Sequence, residues 1–82
     1  MNIKKTIDLA NGHKIEFGEA TWDNKQTSIR NRYPTSSGGF SPRSSSELPI
    51  NDLKIMMIEA IKNGYISSSD IKDILKEGIN KL

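Results

Sequence analysis

The 82-residue sequence has no cysteine and a single histidine, His13. Without thiols the chain can form neither a disulfide nor a thiolate zinc site, and thiolate catalysis is excluded. One imidazole supplies no cluster of the usual metal ligands, so no metal is expected. Long apolar runs are missing too: the longest, Ile55 to Ile58, is far short of the ~20 residues that span a bilayer. The start of the chain, Met1-Asn2-Ile3-Lys4-Lys5, lacks the apolar stretch of a signal peptide. These features together lead to the expectation of a soluble, intracellular protein. A single domain of this size hides only about 60% of the surface its unfolded chain exposes. With neither disulfide nor metal to staple it, self-association is the remaining source of core.

Twelve Lys and Arg against ten Asp and Glu leave a net charge of +2, too little by itself to mark a nucleic-acid binder. The distribution is more telling. From Asn24 to Ser46 there are Lys25, Arg30, Arg32 and Arg43 and no acid, whereas residues 51–82 carry five lysines and five acids.

The first half of the chain has strand character. Ile3, Thr6 and Ile7 precede Asn11-Gly12, a pair that tolerates the positive φ angles of a type I′ hairpin turn. The returning strand, Lys14 to Trp22, sets Ile15, Phe17 and Glu19 against Lys14, Glu16 and Gly18, with Gly18 a candidate bulge. A turn at Asp23-Asn24-Lys25 leads to a third strand from Gln26 to Tyr33, which Pro34 ends. Thr35 to Ser46, with six serines, two glycines and one proline, reads as a loop, either a connector or an ordered segment reaching a ligand through Phe40 and Arg43.

Two helices follow. Asn51 is the expected N-cap of the first, with Ile50 as its staple residue, and Gly64 suits the left-handed position after its last turn. Leu53, Met56, Met57, Ala60 and Ile61 form its stripe, yet Ile55 and Ile58 lie outside it, a surplus that suggests contact between subunits. The second helix has N-cap candidates Ser67 to Ser69 and an amphipathic stripe of Ile71, Ile74, Leu75, Ile79 and Leu82, a pattern usual for core. The expected fold is α+β, a single domain over 1–82: antiparallel strands, about three, over 3–33, a Ser/Gly-rich ligand loop over 34–47 and two helices over 51–82, assembled as an oligomer.

No catalytic pattern is visible. His13 reads as a solvated turn residue, and neither a nucleophile elbow nor a phosphate-binding lysine loop is present, so the chain is not expected to be an enzyme. A binding constellation remains. Arg30 and Arg32 share one face of the third strand, expected to be exposed, where they would contribute little to stability. Tyr33 and Trp22 offer flat apolar surfaces, Asn24 lies nearby in sequence, and Arg43 is followed by Ser44, Ser45 and Ser46. Guanidinium forks pair with phosphate oxygens, serine hydroxyls extend an anion shell, and aromatic rings stack on a base. The plain alternative is that the arginines solvate a strand face and Glu47 pairs with one of them, while Trp22 and Phe40 are core pieces.

Asn11 to Gly18, Trp22-Asp23-Asn24, Thr27 to Tyr33 and Ser44 to Pro49 together resemble a phage anti-Thoeris signal-sponge family over residues 5 to about 65. The resemblance implies a non-enzymatic viral anti-defence protein in the cytoplasm of the infected bacterium. It would bind and sequester the cyclic ADP-ribose isomer made by a TIR-domain sensor, and possible further ligands are cyclic di- or trinucleotides. It also implies a sheet packed with helices, assembly as dimers or larger oligomers, pockets between subunits, no cofactor, and Arg30 as the first phosphate ligand. A rival reading is a small nucleic-acid-binding or anti-CRISPR-type inhibitor using Arg30, Arg32 and Arg43. A third is a module whose wide first-helix face docks on another protein.

Overall fold

The alternating pattern of the first half becomes an antiparallel meander in the computed structural model, which describes residues 1–34 and 40–82, the side chains of 40–45 excepted. Strands β1 (Asn2–Asp8), β2 (Lys14–Glu19), β3 (Thr27–Pro34) and β4 (Phe40–Pro49) lie in chain order across one sheet, each antiparallel to the next. Helices α1 (Ile50–Lys62) and α2 (Ser68–Lys81) follow. The α+β class is as expected, with four strands in place of about three. The expected ligand loop over 34–47 is largely strand: Phe40–Pro49 pairs with β3, putting Ser45 across from Arg32 and Glu47 across from Arg30. Composition misleads here because an open sheet edge satisfies the backbone of any neighbour that can extend, whatever its side-chain pattern. Residues 35–39 of that expected loop lie outside the described residues.

The first hairpin turns as its sequence dictates. Asn11 (φ 60°) and Gly12 (φ 78°) occupy the two positive-φ positions, and the His13 N–H donates to the Ala10 carbonyl at 3.2 Å. Strand β2 ends at Glu19, short of the expected Trp22. Beyond it the Asp23 carbonyl accepts the Gln26 N–H and the Asp23 carboxylate accepts the Lys25 N–H, closing the second turn. The bulge expected at Gly18 sits opposite it: the register slips between Ile3 and Lys5, with Ile3 paired to Gly18 and Lys5 to Phe17. A Cβ at Gly18 would lie 2.1 Å from the Asn2 carbonyl oxygen, so this close crossing of backbones requires glycine.

Strand pleating places His13, Ile15, Phe17, Ile29, Asn31 and Leu48 on one face and Lys14, Glu16, Gly18, Ser28, Arg30, Arg32 and Glu47 on the other. Helix α1 packs at β3 and β4, with Ile50, Leu53, Met57 and Ala60 partly covered. Its stripe is narrower than expected, since Met56 and Ile61 remain exposed beside Ile55 and Ile58. Helix α1 begins at Ile50 with Pro49 at the N-cap, so Asn51 lies inside the first turn and not at the cap; the proline at the end of β4 sets the chain direction instead. At the other end Gly64 (φ 78°) takes the left-handed position, the Gly64 N–H reaches the Ile61 carbonyl and the Tyr65 N–H reaches the Ala60 carbonyl. Ser67 caps α2, its hydroxyl accepting from the Asp70 N–H at 3.1 Å. The α2 stripe is not core: Ile71 is partly covered, while Ile74, Leu75, Ile79 and Leu82 are exposed. Among the described residues Ala20 is the buried hydrophobic one, at 5% exposure, and no helix is long and apolar enough to cross a membrane.

Gly18→Ala is expected to force β1 off β2 at the bulge and to cost about 1–3 kcal/mol, the usual range for overpacking a tight contact. Urea unfolding of the variant checks it.

Candidate cation-bearing site

The most buried side chains on the sheet belong to polar residues. Glu16, at the centre of β2, has a side chain 2% exposed, and it lies beside β3 with Arg30 as its cross-strand partner. Its Oε1 accepts from Arg30 Nε at 2.8 Å and lies 2.7 Å from the same guanidinium's Nη2; its Oε2 accepts from Arg32 Nη1 at 3.3 Å. The period-two rule puts the arginines on one face, and the register brings the carboxylate between them. Charge-assisted bonds offset the cost of taking Glu16 out of water, and the three groups sum to one positive charge.

The expected exposure of these arginines is corrected by this arrangement. Their side chains are 16% exposed at Arg30 and 29% at Arg32. An Arg30 held against a buried carboxylate is structural as well as cationic, so its loss would leave an uncompensated charge inside. Glu47, the expected partner of one arginine, is engaged elsewhere. Its Oε1 accepts the Thr21 N–H at 2.9 Å and the Ser28 hydroxyl at 2.8 Å, and its Oε2 accepts the Thr21 hydroxyl at 2.7 Å. The terminal ammonium of Met1 donates to the Thr21 hydroxyl oxygen at 2.8 Å, joining the chain start to this network. Burial raises the pKa of Glu47, but the Thr21 N–H, the Thr21 and Ser28 hydroxyls and the nearby terminal charge outweigh it, leaving it below its ordinary value.

Tyr33 does not join the arginines. Its ring stacks on His13 with centroids 4.2 Å apart and planes 10° from parallel, and His13 in turn hydrogen-bonds Asn31, which lies on the face opposite Arg30 and Arg32. His13 is therefore a packed strand-end residue and not a solvated turn residue. Trp22 and Asn24 lie in the β2–β3 connection, both exposed, and the Trp22 Nε1–H donates to the Gln26 side-chain oxygen at 3.2 Å. Trp22 is thus no core piece. At about 3.4 Å per strand residue, Thr27 beside that connection is about 20 Å from Tyr33 along β3, so one chain does not gather Trp22, Asn24 and Tyr33 around one small molecule. Ser46 is exposed on β4 opposite Asn31; Ser45 is opposite Arg32 by register. The side chains of Phe40, Arg43, Ser44 and Ser45 lie outside the described residues.

Glu16 is the site residue that the sequence left unremarked. Its membership of the Gly18 face was readable from β2, but its pairing with Arg30 needed the β2–β3 register. Among the described residues no group of three or more His, Asp or Glu is placed to hold a metal ion. Comparison of the chain with protein families, curated proteins and solved structures finds no match.

Arg30→Ala is expected to destabilise the fold by about 3–5 kcal/mol, the cost of stranding a buried charge, and Glu16→Gln in the same chain to recover part of it. Denaturant unfolding of the single and double variants measures both effects. For Glu47 the lowered folded-state pKa means that its contribution is full above the ordinary carboxylate range and is lost as pH falls through the folded value. Glu47→Gln should therefore flatten the loss of stability as pH falls through and below the ordinary carboxylate range, read by unfolding at each pH.

Proposed function

We propose that the protein is a non-enzymatic binder that sequesters a small cyclic nucleotide signal, a cyclic ADP-ribose isomer in the first instance, as the resemblance to the phage anti-Thoeris sponges implies. The observation that carries the reading is the pair of guanidiniums oriented by Glu16 on one sheet face, with Ser45 in register beside Arg32. Arginines already fixed by a carboxylate lose little freedom when a phosphate arrives, and their planar forks match its oxygens. The run Arg43 to Ser46 lies on the adjoining strand with no acid from residue 24 to residue 46, which favours an anion there. Arg30 and Arg32 take the phosphates in this reading, with Arg43 and Ser45 of β4 completing the shell; Ser46, in register with Asn31, belongs to the other face of the sheet. Tyr33, stacked on His13, and Trp22, in the β2–β3 connection, have no role in a pocket made by one chain alone.

Sequestration works in proportion to the amount of protein made, and it needs a dissociation constant below the threshold of the signal's effector. Nanomolar binding corresponds to about −12 kcal/mol, much for one open sheet face. Two chains closing over the ligand exclude water and strengthen each charged contact, so a homo-oligomer belongs to the proposal. A viral protein acting in the cytoplasm of an infected bacterium is the setting the same resemblance implies.

Isothermal titration with cyclic ADP-ribose isomers and with cyclic dinucleotides is expected to give saturable heat at low micromolar protein, little changed between 50 and 500 mM salt. No heat with any of them overturns the reading. Affinity for DNA or RNA that falls steeply with salt would favour the nucleic-acid alternative instead.

A further inference from the structure

Two Asn-Gly pairs occur in the chain, Asn11-Gly12 and Asn63-Gly64, and the fold treats them differently. Asparagine followed by glycine is chemically labile, because no side chain shields the next backbone nitrogen from the asparagine carboxamide. Both asparagines are exposed, so access to water does not separate them. Hydrogen bonding does. Asn63 closes α1 with its carboxamide turned back on the helix: Nδ2 donates to the Glu59 carbonyl at 2.8 Å and lies 3.4 Å from Glu59 Oε2. The Gly64 N–H donates to the Ile61 carbonyl at 3.2 Å and the Tyr65 N–H to the Ala60 carbonyl at 2.9 Å, so both of the groups that would react are held. Among the described residues the Asn11 carboxamide has no hydrogen-bond partner. The turn nevertheless requires this pair. Asn11 (φ 60°) and Gly12 (φ 78°) both occupy the left-handed region, and a Cβ at residue 12 would lie 3.1 Å from Pro34 Cγ. Strand β1, which enters the turn, is exposed at all seven residues and pairs with β2 alone among the described residues, so the hairpin end is the easier of the two places to open.

We propose that Asn11 is a site of spontaneous deamidation and isomerisation, and that Asn63 is spared. The Gly12 backbone nitrogen bonds to Asn11 Cγ, the Cγ–Nδ2 bond breaks, and Nδ2 leaves as ammonia with the proton that the Gly12 nitrogen gives up. Water then opens the resulting cyclic imide at one of its two carbonyls. Breaking the bond to Cγ leaves aspartate; breaking the bond to the main-chain carbonyl leaves isoaspartate, whose backbone runs through Cγ and is one carbon longer. The two products suit the hairpin unequally. Aspartate tolerates positive φ as asparagine does and keeps the turn. Isoaspartate lengthens a tight turn, which shifts His13 away from the Ala10 carbonyl and from the Tyr33 ring and loosens β1 on β2. The modification requires no ligand, so it stands or falls apart from the nucleotide reading.

Incubation of the full chain in warm, mildly alkaline buffer, followed by cleavage after lysine and mass spectrometry, follows both sites at once, since Asn11 falls in the peptide Thr6–Lys14 and Asn63 in Asn63–Lys72. Asn11 is expected to convert about tenfold faster than Asn63, the difference that one additional hydrogen bond makes. In urea, where neither turn persists, the two should react at like rates, which assigns the difference to the fold. The separated isoaspartate form is expected to exchange the amide hydrogens of β1 faster than the Asn11→Asp variant does. Equal rates at the two sites in the folded chain, or an Asn11 that stays intact there while the urea-unfolded chain reacts, overturns the proposal; equal exchange in the isoaspartate form and the variant overturns its consequence for the hairpin.

Discussion

One buried carboxylate governs the sheet. Glu16 lies between Arg30 and Arg32 with its side chain almost wholly out of water, and charges hidden in this way are tolerated only when the partners stand at hydrogen-bond distance. That requirement fixes the β2–β3 register, because a slip of one residue would carry both arginines to the other face and leave Glu16 alone. It also gives the sheet an unusual balance. The polar face contains Glu16 and the fully buried Ser28, whereas Ile15, Phe17 and Ile29 on the apolar face are only partly covered.

The second polar cluster follows from the first. With β3 held in register, Ser28 stands beside Pro49 and Arg30 beside Glu47 on β4, and Glu47 gathers Thr21 and Ser28 while Thr21 accepts from the chain's first amino group. Chain start, β2–β3 connection and last strand are thus tied by one carboxylate. Neighbouring acids therefore do different work: Glu16 orients cations, and Glu47 fastens strands.

A chain this small with so polar an interior has apolar surface left over, and it lies on the helices. Exposed Ile55, Met56 and Ile58 on α1 and the stripe of α2 are surfaces that association between copies would cover. The proposed ligand site lies on the cationic sheet face, apart from these helical surfaces.

Local chemistry was legible in the residues. The Asn11-Gly12 turn, the Asp23 turn, the left-handed Gly64 and the shared face of Arg30 and Arg32 each depend on local residue types at set backbone positions, which is why the sequence alone determined them, while it narrowed the α2 cap to Ser67, Ser68 or Ser69. Where the determinant lay in a distant strand, the sequence misled or was silent. Phe40–Pro49 became a strand because β3 had an edge to pair; Tyr33 left the arginines because His13 offered it a ring; and the α2 stripe stayed open because, among the described residues, no other element covers it. Arg30 looked like an exposed cation until the register set Glu16 beside it. Periodicity says which face a side chain takes, but only the paired strands decide what that face meets, because burial and charge partnership are properties of two segments and not of one.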